Sequence, residues 1–350
     1  IPGYMTQENL KRWTDSVIYR FRWAYYIVEC TPPKMEGIMF LLDTSLSEYM
    51  RVFGEEERCL EEIYHCKWPH GFICPYCSHN DGYRLSRLRM MECTACGRQS
   101  SITANTIFQD SKIPLTKWFL AIYLVAHDKG GVSAMRLEQE LGVQRKSAAK
   151  LLRKLRIAMG DRDENLTLAG YIELDEAFLG GRRKTRSAGE SPFEGKICVL
   201  VMVESENMQA GNLVLKAIPD TKIGTLREVV EQRIESDPGG QVIRTDALGR
   251  HHVFAALGHT VNMSKMNKKQ LNTTMACLSL AISHLKRFLK GTYHHFCRTY
   301  IQHYLNEFCY RWNRRHLSKQ IARHLLTACV LHAPAPVSER IPEMPKKRAA

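Results

Sequence analysis

Two pairs of cysteines constrain this chain more tightly than any other feature. Cys74-Pro-Tyr-Cys77 is followed, after fifteen residues, by Cys93-Thr-Ala-Cys96-Gly97. Two residues between cysteines let a tight turn aim both thiolates at one ion, and a second such turn completes a tetrahedron. The spacing predicts a zinc ribbon held by Cys74, Cys77, Cys93 and Cys96. All four positions are protein ligands, so the Zn2+ is structural. Arg84, Arg87, Arg89 and Arg98 decorate the hairpin between and beyond the pairs. The other eight cysteines are scattered through apolar or helical patterns. That usage argues for a reducing compartment and against a disulfide framework.

Charge narrows the partner. Among 350 residues, 50 Lys and Arg face 36 Asp and Glu, a net charge of +14. The length allows two or three domains. The excess is clustered: Ala247 to Arg323 holds 13 basic residues and one acid, Glu307. Such clustering is the footprint of phosphate contacts, so a nucleic acid is the expected partner, before an anionic membrane. No stretch approaches the roughly 18 apolar residues of a membrane span, and no secretory leader is visible. The expected location is the cytoplasm. The chain opens on Ile, so Met5 or Met35 is a candidate start, and residues 1–54 are read as an extension.

After the ribbon (55–108), residues 109–160 read as helix, Gly-containing turn and basic helix. Ser133 caps a helix through Leu141, Gly142 turns, and Lys146 to Met159 is helical. This is the helix-turn-helix pattern. Its second helix carries Arg145, Lys146, Lys150, Arg153, Lys154 and Arg156. A solvated basic helix in a bundle would look the same.

Residues 168–330 change character. Tyr171-Ile-Glu-Leu-Asp175-Glu-Ala-Phe-Leu-Gly-Gly181 reads as a strand ending in an acidic pair, then a glycine turn. Strands follow at Lys196–Glu204, Asn212–Ile218 and Val242–Asp246, with a fifth at Gly258–Met263 and a helix at Ile223–Glu235 between the third and fourth. Helices are expected from Gln270 to Lys290 and from Thr299 to about Val330. This order predicts an α/β domain with a mixed five-stranded sheet of the RNase H-like kind. Asp175 and Asp246 each close an apolar strand. If the strands are neighbours, two hard carboxylates converge, which suits Mg2+, with Mn2+ as a substitute. Glu173 and Glu176 are either supporting groups or surface charges. No Asp or Glu occurs between Asp246 and Glu307. The helix offers Ile282-Ser283-His284-Leu285-Lys286-Arg287 instead. A spacing of seven would pair Ser279 with Lys286. The tail 331–350 is basic and Pro-rich.

The ribbon, the helix-turn-helix, Glu-Leu-Asp175-Glu-Ala-Phe-Leu-Gly-Gly, Arg-Thr-Asp246-Ala and Ile-Ser-His284-Leu-Lys286-Arg-Phe-Leu-Lys-Gly-Thr-Tyr-His together resemble the IS1595-type (ISXO2-like) transposases of insertion sequences. The resemblance runs from about Arg58 to Arg323. It implies a DDE-type core with Asp175 and Asp246 as the first two metal ligands. The third position in that family is Glu, Asn or His followed by a Lys, which points to His284 and Lys286. It also implies binding of double-stranded DNA at terminal repeats and target, strand cleavage and strand transfer, at least a dimer, and a place on the bacterial nucleoid. Arg287 joins the expected DNA contacts. A non-catalytic DNA-binding regulator or decayed transposase, and a nuclease that cuts without joining, are the competing expectations.

Overall fold

A computed structural model describes residues 45–85, 89–180, 196–236, 240–246, 249–264, 270, 273–293, 298–317 and 320–332. Residues 1–44 of the extension, Arg87, residues 182–186 and the tail from 333 lie outside the described residues.

The first layer is helical. Helix α1 (Leu46–Phe53) starts at Ser45, whose side chain accepts a hydrogen bond from the Glu48 backbone. Its buried Tyr49 and Phe53 stand one turn apart and meet the rings of Tyr123 and Phe119. Helix α2 (Glu56–Lys67) leads into a three-stranded antiparallel sheet of β1 (Gly82–Leu85), β2 (Met90–Cys93) and β3 (Gln99–Ser101). Lys67 Nζ fastens the two, bonding the carbonyls of Ser101, Ile102 and Ala104 at 3.4, 3.2 and 2.6 Å. Helices α3 (Leu115–His127), α4 (Ala134–Leu141) and α5 (Arg145–Arg162) complete the layer. Ser133 accepts from the Arg136 backbone, and Gly142 takes a left-handed conformation (φ 57°) that a side chain would resist.

The second layer is a mixed α/β unit. Strands β4 (Tyr171–Leu179), β5 (Ile197–Glu206), β6 (Gln209–Ile218), β7 (Val242–Asp246) and β8 (Thr260–Ser264) form one sheet in the order β6-β5-β4-β7-β8. The first three strands run antiparallel as a meander, while β7 and β8 run parallel to β4. One face packs on α6 (Ile223–Arg233) and the short α7 (Val253–Ala256) through Ile172, Leu174, Leu200, Leu226 and Phe254. The other packs on α8 (Ala276–Thr292) and α9 (Ile301–Asn313) through Ala177, Val199, Val201, Leu285 and Leu305.

Several elements differ from their sequence reading. Strand β4 does not end at the acidic pair. It continues to Leu179 because Ala177 and Leu179 alternate into one core while Phe178 packs against the other. The long C-terminal helix is two, α9 and α10 (Ile321–Leu331). It breaks where Asn313 caps the edge strand β6, accepting from Leu213 N at 2.8 Å and donating to Leu213 O at 3.1 Å. Gln302, about three turns earlier, accepts from Ala217 N at 2.8 Å and donates to Leu215 O at 2.9 Å. Two amides thus satisfy an edge that would otherwise pair with another chain.

Helix α10 then returns to the first layer, burying Leu325, Leu326 and Cys329 among α3 and α5 residues. Helices α5 and α9 cross closely at Gly160, where a Cβ would stand 2.0 Å from the Asn306 side-chain nitrogen. Among the described residues no helix is long and apolar enough to cross a membrane.

Candidate active site and nucleic-acid interface

The ribbon geometry follows from its turns. In each pair the residue after the second cysteine, Ser78 or Gly97, has a positive φ (61° and 65°). Its backbone N–H donates to the carbonyl of the first cysteine at 3.0 Å in both turns. The two turns are therefore alike, and their four Sγ atoms lie within 4.8 Å of one another. Burial opposes a thiolate at Cys74, but the backbone N–H groups of Cys77 and Tyr76 outweigh it and bring that thiol down to about 6. A tetrahedral soft-ligand set of this size fits Zn2+. Arg84 and Arg89 are turned onto α2, pairing with Glu57 and Glu56 at 2.6 and 2.7 Å, and Arg98 stacks over Tyr76.

The carboxylates are built by strand register. Tyr171, Ile172 and Glu173 pair in parallel with Val242, Ile243 and Arg244. The same register, continued two residues, sets Asp175 beside Asp246 on one sheet face. Burial pushes the Asp175 carboxyl up to about 7. Asp246 and Glu176 add to the rise, while the Glu176 backbone N–H, donating at 2.7 Å, and His251 oppose it. Two acids crowded in this way favour a shared cation over two bare charges.

The neighbouring acids take other work. Glu173 is buried, and its Oε2 accepts the backbone N–H of Leu278 at 2.7 Å, at the start of α8. Glu176 lies on the opposite sheet face, buried against His251. His251 is the residue that sequence reasoning missed. It is fully buried, with Nε2 3.3 Å from Glu176 Oε1 and Nδ1 3.2 Å from Asp246 Oδ1 and 2.7 Å from Thr245 Oγ1. Its ring stacks on Phe254. The one available signal was the histidine pair His251-His252 a few residues beyond Asp246.

Helix α8 faces the sheet through Leu278, Ala281, Leu285 and Leu289. At 100° per residue, Cys277, His284 and Phe288 form one flank of that row, and Ser279, Ile282 and Lys286 the other. The first flank looks toward β5 and β6. Cys277 Sγ is 3.3 Å from Ser205 on β5, and His284 lies edge-on to Trp312, whose Nε1 donates to Gly211 of β6. The second flank therefore looks toward β4 and β7, where Asp175 and Asp246 stand. Ser279 Oγ is buried there without a hydrogen-bond partner among the described residues. Lys286 and Arg287 are exposed. The structure thus brings Asp175 and Asp246 together and sets His284 on the far flank. Among the described residues the four cysteines are the only group of three or more potential metal ligands within 4.8 Å.

The basic helix α5 divides in two. Arg145, Lys146 and Lys150 are exposed near its start, with Arg145 paired to Glu138 at 3.0 Å. Arg153 is half-buried over the Tyr300 ring. Lys154 points inward, donating to the Ile107 carbonyl at 2.8 Å, and burial lowers its pKa. Arg156 is buried against Glu307. The aromatics Tyr293, Tyr310 and Trp312 are core residues.

Comparison with known proteins adds the following. Residues 167–313 match the ISXO2-like transposase domain, and residues 54–99 match the transposase zinc-ribbon domain. A protein of Halobacterium salinarum, described as an uncharacterized protein in transposable element ISH50, is 25% identical over 193 residues, or 51% of this chain. The chain spans 64% of that relative's length. Among solved structures, the Mos1 strand transfer complex is similar at 10% identity and a TM-score of 0.22, over 58% of this chain and 78% of that one. A pre-cleavage Mos1 transpososome is similar at 9% and 0.21, over 60% and 78%. Likenesses this slight carry no argument.

Proposed function

We propose, on the premise that the chain carries the transposase zinc-ribbon and ISXO2-like transposase domains, that it cuts DNA at the ends of an insertion sequence and joins them to a target. The observation that carries the reading is the register that sets Asp175 beside Asp246 at the centre of an RNase H-like sheet order. The two carboxylates would hold Mg2+, or Mn2+ in its place. When bound, the cation supplies charge neutralisation for the attacking and leaving oxygens of an in-line phosphoryl transfer. The chain's own residues do the rest. The Glu176 backbone N–H fixes one Asp175 oxygen, and His251 holds Asp246 from behind. Lys286, on the flank facing the pair, reaches a DNA phosphate, with Arg287 beside it. Arg145, Lys146 and Lys150 on a helix-turn-helix grip the duplex, and pairing two ends requires at least a dimer. Such a protein works on the bacterial nucleoid.

The third position of the site is carried by either of two residues. His284 is the match by resemblance, and Ser279 is the match by helix flank. Mn2+ binding followed by electron paramagnetic resonance separates them. The substitution that weakens binding, His284→Ala or Ser279→Ala, names the third group.

The test of the reading uses a duplex built from the DNA flanking the gene, in Mg2+. Strand cleavage that survives Asp175→Ala refutes catalysis at this site. The second reading, a DNA-binding protein that no longer cuts, is favoured by one observation: α8 carries no acid, and Ser279 occupies the flank that faces Asp175 and Asp246. Binding of the duplex without cleavage by the parent chain would establish it.

A further inference from the structure

A cavity of about 440 Å3 lies between the start of α4, the middle of α5 and the segment leading into α9. Arg145, Arg153, Arg156, Tyr300, His303 and Tyr304 line it, and among the described residues no acidic side chain does. Its volume is in the range of small-ligand sites. Two features mark it as a built site. Arg156 is buried and spends its Nε on Glu307 at 2.8 Å, yet its Nη2 is buried with no hydrogen-bond partner among the described residues. His303 Nε2 is also buried and unpartnered. Orphaned buried polar atoms are uncommon and costly, and here two of them belong to residues lining one cavity.

The charge count points the same way. Glu307 is buried and already answers two arginines, Arg156 and Arg311, and Tyr293 donates to it as well. Arg153 forms no ion pair among the described residues and lies over Tyr300 at 3.9 Å, while Arg156 lies over Tyr304 at 4.2 Å. The cavity thus carries net positive charge on planar guanidinium groups stacked with phenol rings. Such surfaces take a phosphate by the fork of N–H donors and a flat heterocycle by stacking. Its rim residue Arg145 opens the same helix whose Lys146 and Lys150 face solvent.

We propose that this cavity binds one unpaired nucleotide, with its phosphate on Arg153 and Arg156 and its base against Tyr300 and Tyr304. The nucleotide comes either from bound DNA, extruded from the helix, or from free solution. The site deepens the DNA reading above and rests on it only for the first source.

The experiment uses the full chain and 2-aminopurine as the fluorescent base. One probe is a duplex with 2-aminopurine opposite an abasic site, and the other is the free 2-aminopurine deoxynucleoside 5′-monophosphate. Tyr300→Ala is expected to weaken binding of the monophosphate by about tenfold, the size of one lost stacking contact. Arg153→Gln is expected to weaken the monophosphate but not the unphosphorylated nucleoside. A fluorescence change in the duplex that Tyr300→Ala removes supports extrusion from DNA. A response of the free monophosphate alone supports the solution source and overturns extrusion. Inorganic phosphate competing as well as the nucleotide, or a nucleoside binding as tightly as its monophosphate, overturns the proposal. Failure to bind any duplex sinks the DNA reading and leaves the monophosphate arm intact. His303→Ala is a second variant should Tyr300→Ala not fold, and the monophosphate must weaken there too.

Discussion

Asp175→Asn should make the metal-free protein more stable, and more so as pH rises. The Asp175 carboxyl titrates at about 7 in the folded chain against 3.8 in an unstructured one, chiefly through burial and then through Asp246 and Glu176. The folded state therefore binds this proton more readily than the unfolded state. Stability is highest below the unfolded value, falls as pH rises toward 7, and is level above it. The full fall corresponds to about 4 kcal/mol, of which about 2–3 kcal/mol lies between pH 5 and pH 8. Asparagine has the same shape and no charge, so it removes the penalty. Urea melts of the parent and the variant in a chelator at pH 5 and pH 8 measure it. The variant's advantage should widen with pH and shrink when Mg2+ or Mn2+ is added to the parent. A variant that is less stable at pH 8, or whose gain is equal at both pH values, would refute the raised, buried carboxyl at Asp175.

Other outcomes follow from single contacts. Cys93→Ser should reduce bound zinc, measured by mass spectrometry of the native protein, from about one ion per chain to a small fraction, and chelation of the parent should unfold the ribbon at β2. Glu307→Gln should destabilise the fold by about 3–5 kcal/mol, because Arg156 and Arg311 lose their buried counter-charge; a change under about 1 kcal/mol in urea melts would mean those charges reach water. Lys146→Ala and Lys150→Ala should each lower the salt slope of duplex binding by about one. Lys154→Met should leave that slope unchanged, since Lys154 is held on the Ile107 carbonyl.

The parts of the fold that were legible are those set by local period and local spacing. The cysteine pairs specify two turns of identical geometry without any long-range contact. The runs around Val199 and Val242 are apolar enough to read as buried strands, and their order predicts the five-stranded sheet. What local pattern does not carry is the partner of each face. Nothing near Ile321 says that α10 will cover α3, and nothing near Arg156 says that its counter-charge will be Glu307 from α9. The end of β4 was misread because a buried acid looks like a strand end from sequence. In the structure Asp175 is a mid-strand residue, exempt from the apolar rule for a reason of its own. His251 escaped for the converse reason. It sits in a turn with no periodicity, and only the fold brings Glu176 and Asp246 to either side of it.

The same long-range pairing joins the basic helix α5 to the sheet. The first half of α5 exposes Arg145, Lys146 and Lys150, while its second half is buried, with Arg156 on Glu307 and Gly160 against Asn306 of α9. Arg314, at the C-terminal end of α9, pairs with Asp163 at 2.6 Å, and Arg233 donates to Glu164, so the connector from α5 to β4 is held from both sides. Helix α9 in turn bonds the edge strand β6 through Gln302 and Asn313. On the proposed function, a duplex bound at the start of α5 would sit at a fixed place relative to the strand that carries Asp175, with no free linker between α5 and that carboxylate. Selection of where a strand meets Asp175 and Asp246 is then a property of packing between α5 and α9. Substitutions at that contact, far from both DNA and carboxylates, are the ones that would shift it.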